Sequence, residues 1–415
     1  MVGASFALAL AGTRLRTVLV ESVAPTSHAQ PSFDERTTAL GNASRRIFQA
    51  LGVWDRIAAE AAAIRAIHVS DAGRFGFARL DAREQGVEAF GYVVPNRVLG
   101  AALWKRIGAC PGIVTKMPAT VEAIEIGAAE VRLRIARDGR QESLAARLAV
   151  AADGAQSKVR EAAGIDARIK EYGQIALVAP LQADRPHDGT AYERFTESGP
   201  MALLPLHDGS YTVVWARSPH DAEEALRLDD AAFLRQLQAR FGWRAGRFVR
   251  VGRRGTYRLA LSRAAAAVGQ RSVLIGNAAQ ALHPVAGQGF NLGLRDAAAL
   301  AEVLAGESSA ANASAGAGTA GPEGASASSG TRADPGSPQV LARYAKQRAA
   351  DRRRVVGFTD GLVRLFGDSR GAVGLARNAG LLLFDLLPPA KSALARVSLG
   401  FGGRTPRLAR GLPLT

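Results

Sequence analysis

The apolar positions change period several times along the chain, and each change marks an element. Residues 3–11 are almost wholly apolar and predict a buried helix, and T-V-L-V-E at 17–21 predicts a buried strand. A helix running into such a strand is the second half of a dinucleotide-binding unit. Residues 44–51 and 53–63 predict helices broken at Gly52, and 67–80 predicts strands about an Asp71-Ala72-Gly73 turn. Residues 97–107 are amphipathic at helical spacing; 120–126, 130–136 and 148–152 are strand-like, the first two joined by a short turn containing Gly127. Four short runs, 175–183, 190–195, 201–206 and 211–216, predict the antiparallel sheet of a small second domain. A helix over 229–241 follows, then a strand at 272–275, a glycine-rich turn and a helix over 291–304. The mixture implies an α/β fold with an inserted sheet.

Beyond this the pattern stops and resumes. Gly306 to Pro338 is almost entirely Ala, Gly, Ser, Thr and Pro, too little apolar surface to offset the entropy of ordering, so a flexible insertion is expected. Val355, Thr359, Leu362, Val363 and Phe366 then fall on one helical face, so the tail is a folded element; this helix and one in the 380–387 region, flanked by arginine, are expected to lay their apolar faces on an anionic membrane.

The 415 residues are 47% hydrophobic, enough for sizeable cores. No run reaches the roughly 20 apolar residues that cross a bilayer; 381–387 is short and broken by Asp385. The apolar start lacks a preceding basic region, since Arg14 and Arg16 come after it, so a cytoplasmic protein is expected rather than a secreted one. Cys110 is the only cysteine, which excludes an internal disulfide and suits a reducing compartment. The six histidines show no pair at metal-ligand spacing, and no metal is expected.

The net charge is +16, and fourteen lysines and arginines against four aspartates from Val340 onward supply ten of those charges. A basic tail suits nucleic acid, anionic lipid or a genome that uses arginine freely. Neither interleaved aromatics nor a nucleic-acid motif accompanies it, so no nucleic-acid partner is expected and a membrane surface is favoured.

The strongest chemical signal is L-I-G-N-A-A-Q-A-L-H-P-V-A-G-Q-G-F-N-L-G-L-R-D at 274–296. A strand ends at a glycine, and a loop with Pro284, Gly287, Gln288 and Gly289 delivers a helix N-terminus near Asn291. Glycines let backbone approach a flat ligand closely, and free N–H groups at a helix start favour negative charge. The segment resembles the second FAD motif of the para-hydroxybenzoate-hydroxylase-like flavoproteins. Most of that family reads G-D-A-A-H, the acid binding the ribityl or phosphate portion. The G-N-A-A-Q here, with Asn277 and Gln280 before H-P-x-A-G-Q-G-F-N-L-G, is similar to the branch that hydroxylates 2-polyprenyl-6-methoxyphenol. An amide still donates and accepts hydrogen bonds.

Further segments carry the resemblance. A-A-D-G-A-Q-S-K-V-R at 151–160 resembles the family's D-G motif, placing Asp153 and Gly154 beside the FAD pyrophosphate. Glu21 ends its strand where a carboxylate accepts both adenosine ribose hydroxyls. D-E-R-T-T-A-L at 34–40 and P-N-R-V-L at 95–99 resemble segments whose arginines, Arg36 and Arg97 here, lie along the cofactor. The strands at 192–196 and 199–206 resemble the branch's substrate sheet, with a roomy apolar lining that suits a prenylated phenol.

The resemblance implies a Rossmann-like FAD-binding domain in two parts (1–170 and 254–305), an inserted, mainly antiparallel β-sheet substrate domain (171–253), the insertion (306–339) and a basic helical region (340–415). It implies FAD as cofactor, NADH or NADPH as transient reductant, and O2 with a polyprenyl methoxyphenol as substrates. The implied reaction is ring hydroxylation through a flavin C4a-hydroperoxide in ubiquinone biosynthesis. The implied setting is the inner-leaflet membrane surface, peripherally and beside other enzymes of that pathway. Two rival readings stand: a related FAD oxidoreductase acting on another aromatic or prenyl substrate, and an FAD-free membrane-adsorbed protein. A base or proton relay is expected, but no catalytic residue is identified; His283, beside Pro284, reads as structural. A dinucleotide-binding fold opens with a strand leading into G-x-G-x-x-G, whereas this sequence opens at M-V-G-A-S-F-A-L-A-L with the third glycine, Gly3, alone. The expectation is that the first Rossmann strand is missing, that the natural protein starts about ten residues earlier, and that the given form binds FAD poorly or not at all.

Overall fold

A computed structural model describes residues 1–24, 36–315, 334–368, 370–401 and 403–414. Two parallel strand pairs form the side expected to bind the dinucleotide. Thr17–Val20 runs parallel to Ile113–Lys116, and Ala149–Ala151 runs parallel to Ser272–Leu274. Among the described residues the two pairs belong to separate sheets. The Val2–Leu10 helix is buried along most of its length and packs on the Gln288–Ala315 helix, with Phe6, Leu8 and Leu10 in one core with Leu294, Leu300 and Val303. Close approach at the base of that pair needs glycine. A Cβ on Gly293 would stand 2.9 Å from the Gly276 Cα, and Gly276 itself has φ +60°, which disfavours any side chain.

The sheet expected to be the substrate sheet has nine strands. The four expected runs appear as the end of the long Ala167–Ala183 strand and as Thr190–Thr196, Gly199–Pro205 and Tyr211–Arg217. Ala66–Asp71 and Phe77–Asp81 extend the sheet at one edge and Gly255–Ala264 at the other, so it draws chain from either side of 171–253. Two helices, Pro219–Arg227 and Asp230–Phe241, pack Phe233, Leu237 and Phe241 against Trp215 and Leu203.

Two expectations are corrected and one strand is added. Residues 53–63 do not form one helix: Trp54–Ile57 is a single turn, Ala58–Glu60 a 3₁₀ turn, and Ala62–Ile64 a strand beside Gly91–Pro95. Its alanine run gives no helical stripe to bury, and the strand instead places Ala62 and Ile64 in a core. A third strand, Arg140–Ala146, completes the small sheet with Thr120–Ile126 and Val131–Arg137. The low-complexity stretch starts later than expected, because the Gln288–Ala315 helix continues into it; 316–333 lies outside the described residues.

The basic region folds as three helices, Pro338–Gly367, Gly371–Leu386 and Pro388–Ser398. Its first helix is fixed by charge in the core. Asp296, fully buried, accepts from Arg348 Nε at 2.7 Å, from Arg352 Nε at 3.2 Å and from Gln280 Nε2 at 2.9 Å. Burial alone would raise the Asp296 pKa, but Arg352 and Arg348 outweigh it and hold the carboxyl below its ordinary range. Arg352 also donates to the Leu274 carbonyl at 3.2 Å and the Tyr344 hydroxyl at 2.6 Å. A second lock joins Arg377 and Asn378 to Asp71, at 2.6 Å from Arg377 Nη2 and 2.9 Å from Asn378 Nδ2. The Val355-Thr359-Phe366 face, expected to meet a membrane, is turned inward: all three residues are buried, and Phe366 stacks on Phe195.

Removing one partner of such a cluster strands the others in a medium that solvates them poorly. Asp296→Ala is therefore expected to destabilise the protein by about 3–5 kcal/mol, measured as a shift in the urea midpoint. A loss below about 1 kcal/mol, the range of an exposed ion pair, would contradict this account.

Candidate active site

A cavity of about 1580 Å³ lies between the dinucleotide-binding side and the substrate sheet. Gly3 at the start of the first helix, Glu21 just after its strand, and the Asp153-Gly154 turn line one side. Asn277, Pro284, Gly287 and Gly289 line it from the 274–289 loop, and Arg36 from the chain entering Thr37–Gly41. The edges of Thr17–Val20 and Ala149–Ala151 also line it; among the described residues neither strand has a second partner there. The opposite wall is mostly apolar, including Ile67, Ala176, Ala191, Leu204, Val214 and Ala216, with Tyr192 and Glu193 of the same sheet also lining it.

Local geometry explains each placement. Gly154 has φ +93°, so the turn after Asp153 needs glycine. Ser157 then caps the Lys158–Ala162 helix, its Oγ accepting from the Arg160 N–H at 3.0 Å. Arg160 donates back to the Ala155 carbonyl at 2.8 Å and approaches the Ala278 carbonyl at 3.4 Å, tying this turn to that of Asn277. Gly287 has φ +59°, and a Cβ there would stand 3.2 Å from the Ala39 Cβ. The Arg36 guanidinium lies 4.6 Å over the Tyr257 ring, a cation–π contact that holds it at the cavity. Glu21 accepts from the Val23 N–H at 3.2 Å.

Nine of the twelve anticipated residues line the cavity, and three, Arg97, Gln288 and Asn291, do not reach its wall. Arg97 sits on the outside of the Asn96–Gly108 helix, paired with Glu60 at 2.8 Å; its neighbour Asn96, buried and accepting from Thr38 Oγ1 at 2.7 Å, lines the cavity instead. Asn291 is spent on the protein. Its Oδ1 accepts from the Gly41 N–H at 2.9 Å and Ser44 Oγ at 2.6 Å, and its Nδ2 donates to the Ala39 and Gly287 carbonyls at 2.7 and 2.8 Å. It therefore positions the Gly287 loop rather than touching a ligand. Gln288 is buried behind the same loop. Asp34 and Glu35, beside Arg36, fall outside the described residues.

His283 lies at the cavity with its ring almost fully buried. Its Nδ1 accepts from the Val285 N–H at 3.2 Å, so the neutral ring carries its proton on Nε2. Burial pushes its pKa down to about 4, and Tyr172 packs against it edge-on at 5.2 Å. Tyr172 in turn donates to Asp360 at 3.0 Å, beside Lys170 at 2.6 Å. With its one lone pair engaged, His283 is a hydrogen-bond donor and a poor base. Sequence spacing gave no access to Tyr172 and Asp360, which meet it from strand and tail. His220, Asp221 and Glu224 approach one another on an exposed helical face away from the cavity lining.

The residues present fit an FAD. A carboxylate stands at a strand end, two helix starts present N–H groups, an amide and an arginine face the volume, and glycines with positive φ leave room for a flat ring. Residues 1–321 match the family model of the FAD binding domain. The chain is 35% identical to ubiquinone hydroxylase UbiL of Rhodospirillum rubrum, over all of this chain and 91% of that protein. It is 29% identical to 3-demethoxyubiquinol 3-hydroxylase of Escherichia coli, over 96% of each chain. The fold is similar to that of p-nitrophenol 4-monooxygenase PnpA from Pseudomonas putida DLL-E4, with TM-score 0.74 and 20% identity over 97% of this chain and 96% of that one.

Two buried histidines set a pH limit. His68 is also held down to about 4, by burial and then by Arg244, whose Nη1 lies 2.7 Å from its Nε2. Unfolding releases both to about 6.5, so the unfolded chain binds more protons between these values and stability falls as pH drops from about 6.5 to 4. Replacing His68 and His283 together with Asn is expected to flatten the urea midpoint's dependence on pH across that window. An unchanged slope would show that neither ring is held neutral.

Proposed function

The chain belongs to the FAD-dependent monooxygenases built on the FAD binding domain, and from that premise we propose that it hydroxylates the aromatic ring of a polyprenyl methoxyphenol in ubiquinone biosynthesis. The observation that carries this reading is the shared cavity: the 277–289 loop and the apolar wall of the substrate sheet face one volume. When bound, FAD reduced by NADH or NADPH activates O2. The protein's part is placement. Asn277, exposed in the cavity, offers the cofactor both a donor and an acceptor without a charge. Gly287 and Gly289 let the loop backbone lie close to it, with Asn291 locking that backbone from behind. The small apolar side chains of the opposite wall leave width for a prenyl tail and keep water from the ring. His283, neutral at pH 7, presents an N–H that stabilises a developing negative oxygen and does not take up the phenol's proton. A substrate with such a tail resides in lipid, which places the enzyme peripherally at the inner-leaflet surface, beside other enzymes of the pathway. The similarity to the Rhodospirillum and Escherichia hydroxylases supports the substrate class.

Supplied with FAD, the purified protein should oxidise NAD(P)H faster on adding a methoxyphenol with a prenyl tail. Equal stimulation by an untailed phenol would favour a different aromatic substrate, and flavin-loaded protein that no phenol stimulates would overturn the reading. Within that site, Asn277→Asp is expected to keep FAD affinity, whereas Asn277→Leu weakens it about tenfold through a lost hydrogen bond. Titration of apoprotein by flavin fluorescence gives both values; a leucine variant that binds as the parent does would remove Asn277 from the site.

A further inference from the structure

The Gly371–Leu386 helix is amphipathic the wrong way round for a protein surrounded by water. Its polar residues face inward: Arg377 and Asn378 are buried on Asp71, Asn378 Oδ1 also accepts from the Gly76 N–H at 2.7 Å, and Asp385 accepts from the Arg79 N–H at 2.7 Å. Its exposed positions 372, 375, 376, 379, 380, 383 and 386 carry only alanine, leucine and glycine. Leu375, Leu383, Leu386 and Leu387 are 62, 58, 75 and 44% exposed. A surface helix ordinarily buries such a stripe and shows its charges. Phe75, 59% exposed, extends the strip, because the hairpin on either side of it lies on this helix, Arg74 against Gly374 and Gly76 against Asn378.

Charge borders the strip. Arg370, which caps the start of the helix, and Arg74, which lies against Gly374, have side chains 78 and 41% exposed, whereas their carboxylate partners Asp368 and Asp71 are 21 and 7% exposed, so the outward charge is positive. Behind the strip, Phe384 and Ala395 share an apolar cluster with Ile67, Ala191 and Leu204, which line the cavity. The helix is thus one packed layer from the proposed substrate wall.

From this arrangement we infer that the outer face of the Gly371–Leu386 helix, with Phe75 and Leu387, is a docking surface for an anionic phospholipid bilayer. The helix lies in the plane of the headgroups, its leucines in the acyl boundary and its bordering guanidiniums on phosphate. At 1.5 Å per residue the strip is about 24 Å long, and none of its exposed side chains can form the hydrogen bonds that protein interfaces carry throughout. The inference extends the reading above by naming where a lipid-borne substrate meets the enzyme, and it depends on that reading only for the purpose of the contact.

The full chain should co-float with phosphatidylcholine–phosphatidylglycerol vesicles, and less so without the anionic lipid. The variant Leu375→Gln, Leu383→Gln, Leu386→Gln should lose vesicle binding by at least about tenfold, while keeping its circular dichroism and its turnover of a water-soluble, short-tailed phenol. Flotation of the triple variant equal to that of the parent overturns the surface, as does a parent that stays with the soluble fraction. A parent that is dimeric, is rendered monomeric by the three substitutions and binds no vesicles assigns the face to a second copy and overturns it as well. A parent that floats through these leucines yet oxidises no phenol leaves the surface standing and removes the proposed function.

Discussion

The carboxylate of Asp296 is the constraint on which much of the molecule depends. It sits on the helix that the cavity loop runs into, without solvent, and is neutralised by two guanidiniums that arrive more than fifty residues later in the chain. An uncompensated buried charge is among the most costly features a fold can contain, so the tail's first helix has one acceptable position. Because Gln280 and the Leu274 carbonyl join the same cluster, that position also fixes both ends of the segment bearing Asn277. The tail is therefore part of the framework of the cavity. The sequence motif alone would suggest that the 274–289 loop is self-sufficient.

A division of labour follows within that motif. Asn277, Pro284, Gly287 and Gly289 face the cavity, while Gln280, Gln288 and Asn291 face the protein. Asn291 bonds to two carbonyls, one N–H and one hydroxyl drawn from three segments of chain. A loop that must keep backbone N–H groups aimed at a ligand has few bonds to itself, and side chains behind it supply the missing rigidity. Residues of the two kinds alternate in one short string, which is why a motif read as a list of contacts mixes those that touch with those that support.

What was legible in the sequence follows the same line. Strands and helices with a clear period, such as 120–126, 190–195 and 229–241, appear within a residue or two of their expected limits, and so do the turns that require glycine. Residues 53–63 misled because alanine favours a helix locally while pairing with Gly91–Pro95 decided the outcome. Arg97 misled because one step along a helix turns a side chain by about 100°: Asn96 faces the cavity and Arg97 faces Glu60. Nothing in local spacing could reveal Asp71 with Arg377, or Tyr172 with Asp360, since each pair is closed across well over a hundred residues.

The tail shows how a correct periodicity can point to the wrong partner. The stripe of Val355, Thr359 and Phe366 was visible as a face, but amphipathicity states only that a face must be covered. Here Phe195 and its neighbours cover it. The next helix gives the opposite case: its few polar residues are claimed by Asp71 and the hairpin backbone, so the outward residues Leu375, Leu383 and Leu386 have no protein left to meet among the described residues. The two helices are similarly basic at their borders and differ in which side the buried hydrogen bonds hold inward. Those bonds cannot be exchanged for solvent without stranding Asp71, so the outward orientation of the leucines is enforced by electrostatics inside the protein.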